Sequence, residues 1–274
     1  MNHQDLETIV KAAFAEDLPD ITSAAIFSPA DRGNGRFLVK AEGVIAGLAV
    51  VETVFQALDV EARVTLKAND GDLVKPGDIV AEVSASVVAL LSGERTALNL
   101  MQRASGIATL TRRYVDAVAG TGAKVHDTRK TAPGLRMFDK YAVKCGGGEN
   151  HRIGLHDMFL VKNNHVDRAG SITAAVQRIR ATGQPQPLMI EVRDMRELDE
   201  ALAANPDFIL LDNMSPAELR EAVARTRGRV PLEASGGITL ETIRGVAETG
   251  VDRISVGALT HSVTALDISM RLKI

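Results

Sequence analysis

The chain has 274 residues, 45% of them hydrophobic and 24% charged, with a formal net charge of −3. That suits one large α/β barrel or two domains and excludes a disordered or fibrous protein. With no Trp, two Tyr and a pI near 6.1, a base-stacking surface or a broad polyanion-binding face is excluded, so no nucleic-acid partner is expected. The single cysteine, Cys145, rules out an intrachain disulfide; no apolar run approaches membrane-spanning length, and the N-terminus MNHQDLETIV lacks a signal peptide's regions. A cytoplasmic protein with no membrane contact is expected.

Leu6, Ile9, Val10, Ala13 and Phe14 recur at helical spacing, which predicts a helix over 4–16 stopped by Pro19 and Asp20. Residues 35–41 (GRFLVKA) and 61–67 (EARVTLK) alternate as half-buried strands do, with a helix over 47–58 between them. Residues 71–83 predict two short strands around a type II turn at Pro76-Gly77. A long helical zone follows over 87–119, with an interruption expected at Ser105-Gly106. Arg95 sits off its apolar stripe, and pattern alone makes it a surface residue pairing with Glu94 or a neighbour one turn away.

From Lys124 the rhythm becomes short apolar strands alternating with amphipathic helices. Strands are predicted over 124–127, 158–162, 188–192, 208–212, 230–234 and 253–256, and helices over 195–204, 216–226 and 240–248. This implies a parallel sheet, either a barrel or a doubly wound sheet. The strands end in polar residues, so one mouth would collect Arg129, Lys130, Lys162, Glu191, Asp212 and Glu233. At the end of the chain Leu266, Ile268, Met270, Leu272 and Ile274 alternate with polar residues, which predicts a strand returning to the first domain's sheet.

The stretch 127–165 carries seven Lys or Arg (129, 130, 136, 140, 144, 152 and 162) against four acids, on a protein that is acidic overall. Arg matches carboxylate or phosphate with a planar fork, and Lys serves as a point charge. Arg129-Lys130 and His151-Arg152, beside Gly146-Gly147-Gly148, therefore suit a small, multiply charged anion. Ser235-Gly236-Gly237 and Gly257 offer backbone N–H groups for phosphate. Glu191 and Asp212 suit Mg²⁺, which takes one or two carboxylates plus substrate phosphates. Cys145 reads as a small buried residue, with no base at a telling spacing, and His126, His156 and His165 lack a zinc pattern. These residues indicate an enzyme handling a phosphorylated sugar, a metal and a compact organic anion.

The motifs GERTALNLMQRASGIAT, DTRKTAPGLR, KYAVKCGGGENHRIGL, VKNNH, LLDNM, EASGGI and GVDRISVGALTHS, in this order, resemble the quinolinate phosphoribosyltransferase family. The resemblance runs from about residue 5 to the end of the chain. It implies an α/β fold: an open barrel of parallel strands over 105–261, and an N-terminal α+β sandwich domain over 1–104 completed by the C-terminal strand, 262–274. It implies the reaction of quinolinate with phosphoribosyl pyrophosphate to give nicotinate mononucleotide, pyrophosphate and CO₂ with Mg²⁺, in NAD biosynthesis. The enzyme would be a homodimer with shared sites, or a larger assembly of it. By matching motifs, Arg129, His151 and Arg152 would clamp the two carboxylates, and Arg95 would reach into the neighbouring subunit's site. Lys130 and Lys162 would hold the anionic substrates, and Glu191 and Asp212 would position Mg²⁺ and the ribose. Lys130, Glu191 and Asp212 are the expected catalytic groups. Ser235, Gly236, Gly237, Gly257 and His261 would lie near the 5′-phosphate.

Two positions depart from the family pattern. Asn163 stands where VKDNH has Asp, and Arg193 follows Glu191-Val192 where acids are common. Two other readings are a related barrel protein of the ModD type acting on another anion, and a non-catalytic phosphate or nucleotide sensor. The Glu191–Asp212 pair distinguishes the sensor, since a mere binder has little use for acids beside a phosphate site.

Overall fold

A computed structural model describes residues 1–273, so Ile274, the last residue of the expected terminal strand, lies outside the described residues. The chain divides into two compact units. The first comprises Met1–Arg112, Thr131–Gly147 and the segment from Leu259 onward; the second comprises Arg113–Lys130 and Gly148–Ala258.

The chain opens with α1 (His3–Asp17), where Asn2 and Asp5 form a capping box and Leu6 and Val10 are buried. Asp20, expected only to stop that helix, accepts N–H bonds from Thr22 and Ser23 and so starts a second one, α2 (Ile21–Ile26). There follow β1 (Arg32–Val39), β2 (Gly43–Val44), α3 (Ala49–Leu58), β3 (Arg63–Leu66), β4 (Leu73–Val74), β5 (Ile79–Ser86) and α4 (Val87–Ala117). Gly77, at φ +99°, makes the turn before β5, closed by the Asp78 N–H donating to Lys75 O at 3.1 Å. Phe37 of β1 and Phe55 of α3, both fully buried, meet edge to face.

Helix α4 runs unbroken through Ser105-Gly106, against expectation. The pair is small because another segment passes close by, not because the helix stops. Ser105 Oγ accepts the Ala46 N–H and donates to Ala46 O, and a Cβ at Gly106 would collide with Thr264 O.

The remainder runs β6 (Lys124–His126), α5 (Arg136–Cys145), β7 (Phe159–Val161), α6 (Asn163–Ala169), α7 (Ile172–Arg180), β8 (Leu188–Val192), α8 (Met195–Ala203), β9 (Phe208–Asp212), α9 (Pro216–Thr226), β10 (Leu232–Ser235), α10 (Ile243–Ala247), β11 (Arg253–Ser255), α11 (Ala258–His261) and β12 (Ile268–Lys273). In the first unit β12 pairs antiparallel with β1, in a sheet ordered β12-β1-β5-β3, as the terminal alternation predicts. In the second unit six strands form one parallel sheet, β6-β11-β10-β9-β8-β7. Its edges, β6 and β7, pair with nothing further among the strands of that sheet, which is the open arrangement expected. Helices α7, α8, α9 and α10 pack in succession. Ser171, Asp194 and Ser215 cap the first three of these.

No helix among the described residues is long and apolar enough to cross a membrane.

Candidate active site

Strand register separates the parallel sheet into two unlike faces, because side chains alternate and in-register partners point the same way. One face is wholly apolar: Val125, Ile254, Ala234, Leu211, Val192 and Ile190 follow one another across the strands. The other carries Glu233 between Leu210 and Arg253, and Ser235 between Asp212 and Ser255, with His126 beside Ser255. Glu191 is the partner of Leu210 on β8, so Asp212 stands two residues farther along the same face. Arg253 rests its guanidinium 3.9 Å above the Phe208 ring. All six strands run parallel, so His126, Asp212, Ser235 and Ser255, which end their strands, and Glu191, next to last on β8, collect towards one end of the sheet, whereas Arg253 begins β11.

At the β6 edge, residues 149–151 run beside the strand. The Glu149 N–H donates to Val125 O at 2.8 Å, and the Asp127 N–H donates to Glu149 O at 3.1 Å. Asp127, fully buried, then accepts the His151 N–H on Oδ1 at 2.8 Å. This laces the GENHR segment to the DTRK segment and brings Arg152 beside Arg129. Arg152 is buried and donates to Met158 O at 3.1 Å. Burial, and then the neighbouring Arg129 charge, hold its pKa below the ordinary guanidinium range. Arg129 Nε is buried and has no hydrogen-bond partner among the described residues. Asp157 steadies the following turn by accepting the N–H groups of Ile153 and Gly154 at 2.7 and 2.9 Å. Burial opposes its ionisation, but those bonds hold the carboxyl below its usual range. Two neighbouring guanidinium charges, one of them desolvated, are the kind of chemistry that suits a compact anion with more than one carboxylate.

Lys162, half exposed at the end of β7, lies 3.7 Å from the Glu191 carboxylate. Among the described residues no three His, Cys, Asp or Glu side chains gather into a metal cluster. The Glu191–Asp212 pair is therefore a sparse, all-oxygen donor set. It fits Mg²⁺, which fills most of its shell with water and phosphate oxygens, and it does not fit zinc. Ser235, Gly236 and Gly237 follow β10 directly, with Gly236 at φ +106° and Gly237 at φ +60°. Asn213 supports this turn: its N–H donates to Ser235 O at 2.8 Å, and its side chain lies against Gly236. Gly257 follows β11, and Lys130 follows Arg129 on the loop after β6.

The two departures resolve differently. Arg193 turns to Glu197 and Asp167, bonding Glu197 Oε1 at 2.5 Å and Asp167 Oδ1 at 3.0 Å; those acids absorb its charge and raise its pKa. Asn163 begins α6, and its Oδ1 is buried without a hydrogen-bond partner among the described residues.

Arg95 and His261 belong to the first unit. Arg95 is exposed on α4, and no ion pair with Glu94 or any other acid forms among the described residues. His261, exposed on α11, has Nδ1 2.7 Å from Ser262 Oγ. Cys145 is half-buried, and burial followed by the Asp70 charge pushes its thiol up to about 11, which suits a structural residue. Gly146 and Gly147 serve chain geometry: a Cβ at Gly146 would strike Ala108 O, and Gly147 has φ +90°. Spacing gave no sign of the supporting parts played by Asp127, Asp157 and Asn213.

Comparison with known proteins places the chain. The model of the quinolinate phosphoribosyl transferase C-terminal domain matches residues 107–271, and that of the N-terminal domain matches residues 20–105. The probable nicotinate-nucleotide pyrophosphorylase [carboxylating] of Bacillus subtilis (strain 168) is 44% identical over 273 residues, covering 98% of this chain and 94% of the relative. The nicotinate-nucleotide pyrophosphorylase [carboxylating] of Mycobacterium leprae (strain TN) is 44% identical over 271 residues, covering 96% and 95%. The crystal structure of NadC from Streptococcus pyogenes superposes with a TM-score of 0.95 at 39% identity, covering 100% of this chain and 98% of that one. Sequence motifs, polar strand ends and these likenesses agree, and the chain belongs to the quinolinate phosphoribosyl transferase family.

Proposed function

We propose that the protein transfers the phosphoribosyl group of phosphoribosyl pyrophosphate to quinolinate with decarboxylation, in de novo NAD synthesis. The observation that carries this reading is the Arg152–Arg129 pair, a desolvated guanidinium with a second positive charge near it, matched to a vicinal dicarboxylate. Arg129 and Arg152 receive the two carboxylates, with His151 in the same pocket. Lys130 and Lys162 neutralise the remaining substrate charge. The turn at Ser235–Gly237 and the Gly257 backbone receive the 5′-phosphate.

Glu191 and Asp212 would hold Mg²⁺, directly or through water. When bound, Mg²⁺ stabilises charge on the departing pyrophosphate. The arginine clamp aligns the pyridine nitrogen with the anomeric carbon, and Glu191 and Asp212 stabilise the cationic character that grows at the sugar. Once the C–N bond forms and pyrophosphate leaves, the adjacent ring carbon keeps the electron pair when its carboxylate departs as CO₂, stabilised by the positive ring nitrogen beside it. A proton then fills that ring carbon, and no covalent enzyme intermediate is needed.

The exposed, unpaired Arg95 supports a homodimer in which each subunit's Arg95 reaches its neighbour's pocket, and the lone cysteine suits the cytoplasm. Mixed dimers of Arg95→Ala and Glu191→Ala subunits would regain activity through one intact site; verified mixed dimers without activity would reject the sharing. The reaction itself is tested by turnover of purified protein with quinolinate, phosphoribosyl pyrophosphate and Mg²⁺. Equal yields of CO₂ and nicotinate mononucleotide are expected. Turnover of a different anion, or ligand binding with no product, would reject it in favour of a ModD-type enzyme or a sensor.

A further inference from the structure

Beside His151 lies a carboxylate that substrate recognition has not used. Glu233 is completely buried on the polar face of β10. Its Oε1 accepts a short hydrogen bond from Ser255 Oγ and lies 3.4 Å from His151 Nε2. On the other side of the same imidazole, Nδ1 accepts the Arg152 backbone N–H at 2.7 Å. A neutral ring that accepts at Nδ1 carries its hydrogen on Nε2, directed at the Glu233 oxygen. Both ring nitrogens are thus committed to protein, one to the buried carboxylate and one to the main chain of the residue whose guanidinium forms the pocket.

From this geometry we infer that Glu233 is a positioning residue for the anion pocket: through the His151 imidazole it holds the Arg152 main chain in place, and His151 acts as a neutral strut. Asp127 completes the strut by accepting the His151 backbone N–H at 2.8 Å. The groups facing Glu233 are Ser255 and Arg253 on β11, His151 and Asp127 at the β6 edge, and Leu210 in register on β9. Arg253 is engaged over Phe208, so Ser255 and His151 are the nearest donors to the buried oxygen. The kinetic consequence rests on the function proposed above; the imidazole tautomer does not.

The test uses full-length protein labelled with ¹⁵N-histidine, in which His151 is one of six histidines and is assigned with a His151→Gln variant. At neutral pH the wild-type His151 resonances are expected to report the Nε2–H tautomer. Glu233→Ala is expected to yield a tautomer mixture. It should also raise the quinolinate KM on the order of tenfold, the equivalent of about 1.4 kcal/mol, with the phosphoribosyl pyrophosphate KM unchanged. Glu233→Gln keeps an oxygen acceptor in the same place and is expected to restore both the tautomer and the KM. An Nδ1–H or doubly protonated ring in the wild type overturns the inference, as does a Glu233→Ala protein with the wild-type tautomer and KM. If Glu233→Ala fails to fold, the wild-type and Glu233→Gln spectra decide, and Nδ1–H in either overturns it. Absence of quinolinate turnover in the wild type would instead defeat the proposed reaction, leaving the spectra to judge the strut.

Discussion

Arg129 sits close enough to Arg152 for its positive charge to oppose that of the buried guanidinium. Like charges held together in a desolvated setting are costly unless an anion is received there. The fold imposes this approach by lacing Glu149 and His151 to Val125 and Asp127.

Arg152→Ala removes the desolvated half of this receptor. Quinolinate affinity is expected to fall by about 2–5 kcal/mol, the usual loss for truncating a buried charge-pair partner, while phosphoribosyl pyrophosphate affinity changes little. Arg152→Lys should recover only part of the loss, because a point charge does not reproduce a planar fork. Equilibrium binding of each substrate to each variant checks this. Equal losses for both substrates would contradict the assigned role.

Gly236→Ala should act on the other substrate. At φ +106° any Cβ is strained, and here it would also strike Asn213 Oδ1. Strain of about 1–3 kcal/mol is expected to distort the Ser235–Gly237 turn. The phosphoribosyl pyrophosphate KM should rise, with the quinolinate dissociation constant unchanged. Steady-state kinetics and direct titration separate the two.

Arg193→Ala should be kinetically silent. Glu197 and Asp167 hold this guanidinium, so the positive charge that departs from the family pattern is neutralised locally. Both KM values are expected to match wild type, and a changed Mg²⁺ dependence would show that the charge does reach the Glu191–Asp212 pair.

Glu233 gives stability a definite pH dependence. Burial, partly offset by Ser255 and Arg253, pushes its carboxyl up to about 7 from an ordinary value of 4.5. Between those values the folded protein binds a proton that the unfolded chain does not, so stability falls as pH rises through this window and levels off above it. Glu233→Gln removes the ionisation. Its stability relative to wild type should improve from pH 4.5 to 7 by an amount on the order of 3 kcal/mol. Denaturant midpoints across that range give the measurement, and parallel wild-type and variant curves would contradict it.

Much of this architecture can be read without coordinates where local chemistry and tertiary packing agree. Ser215, Pro216 and Glu218 announce α9, and the alternation from Leu266 announces β12, which pairs with β1. Of the polar strand ends, Glu191 and Asp212 stand on one face of the second unit's sheet, whereas Glu233, expected in the same mouth, is completely buried. Other features depend on neighbours remote in sequence. Ser105-Gly106 reads locally as a break, whereas a close crossing by Thr264 and Ala46 explains it. Helices α5, α6 and α7 fall in or just after the cationic run, where charge obscures the apolar periodicity. The burial of Glu233 and Asp127 follows from strand register and from the 149–151 segment, neither of which a linear pattern specifies.

The most direct measurement is isothermal titration of the protein with quinolinate and, separately, with nicotinate, which lacks the second carboxylate. If Arg129 and Arg152 each receive a carboxylate, quinolinate should bind at least about tenfold more tightly, a difference of 1.4 kcal/mol or more. Arg152→Ala should erase most of that preference. Equal affinity for the two ligands in the wild-type protein would contradict the paired-arginine pocket and the reaction derived from it.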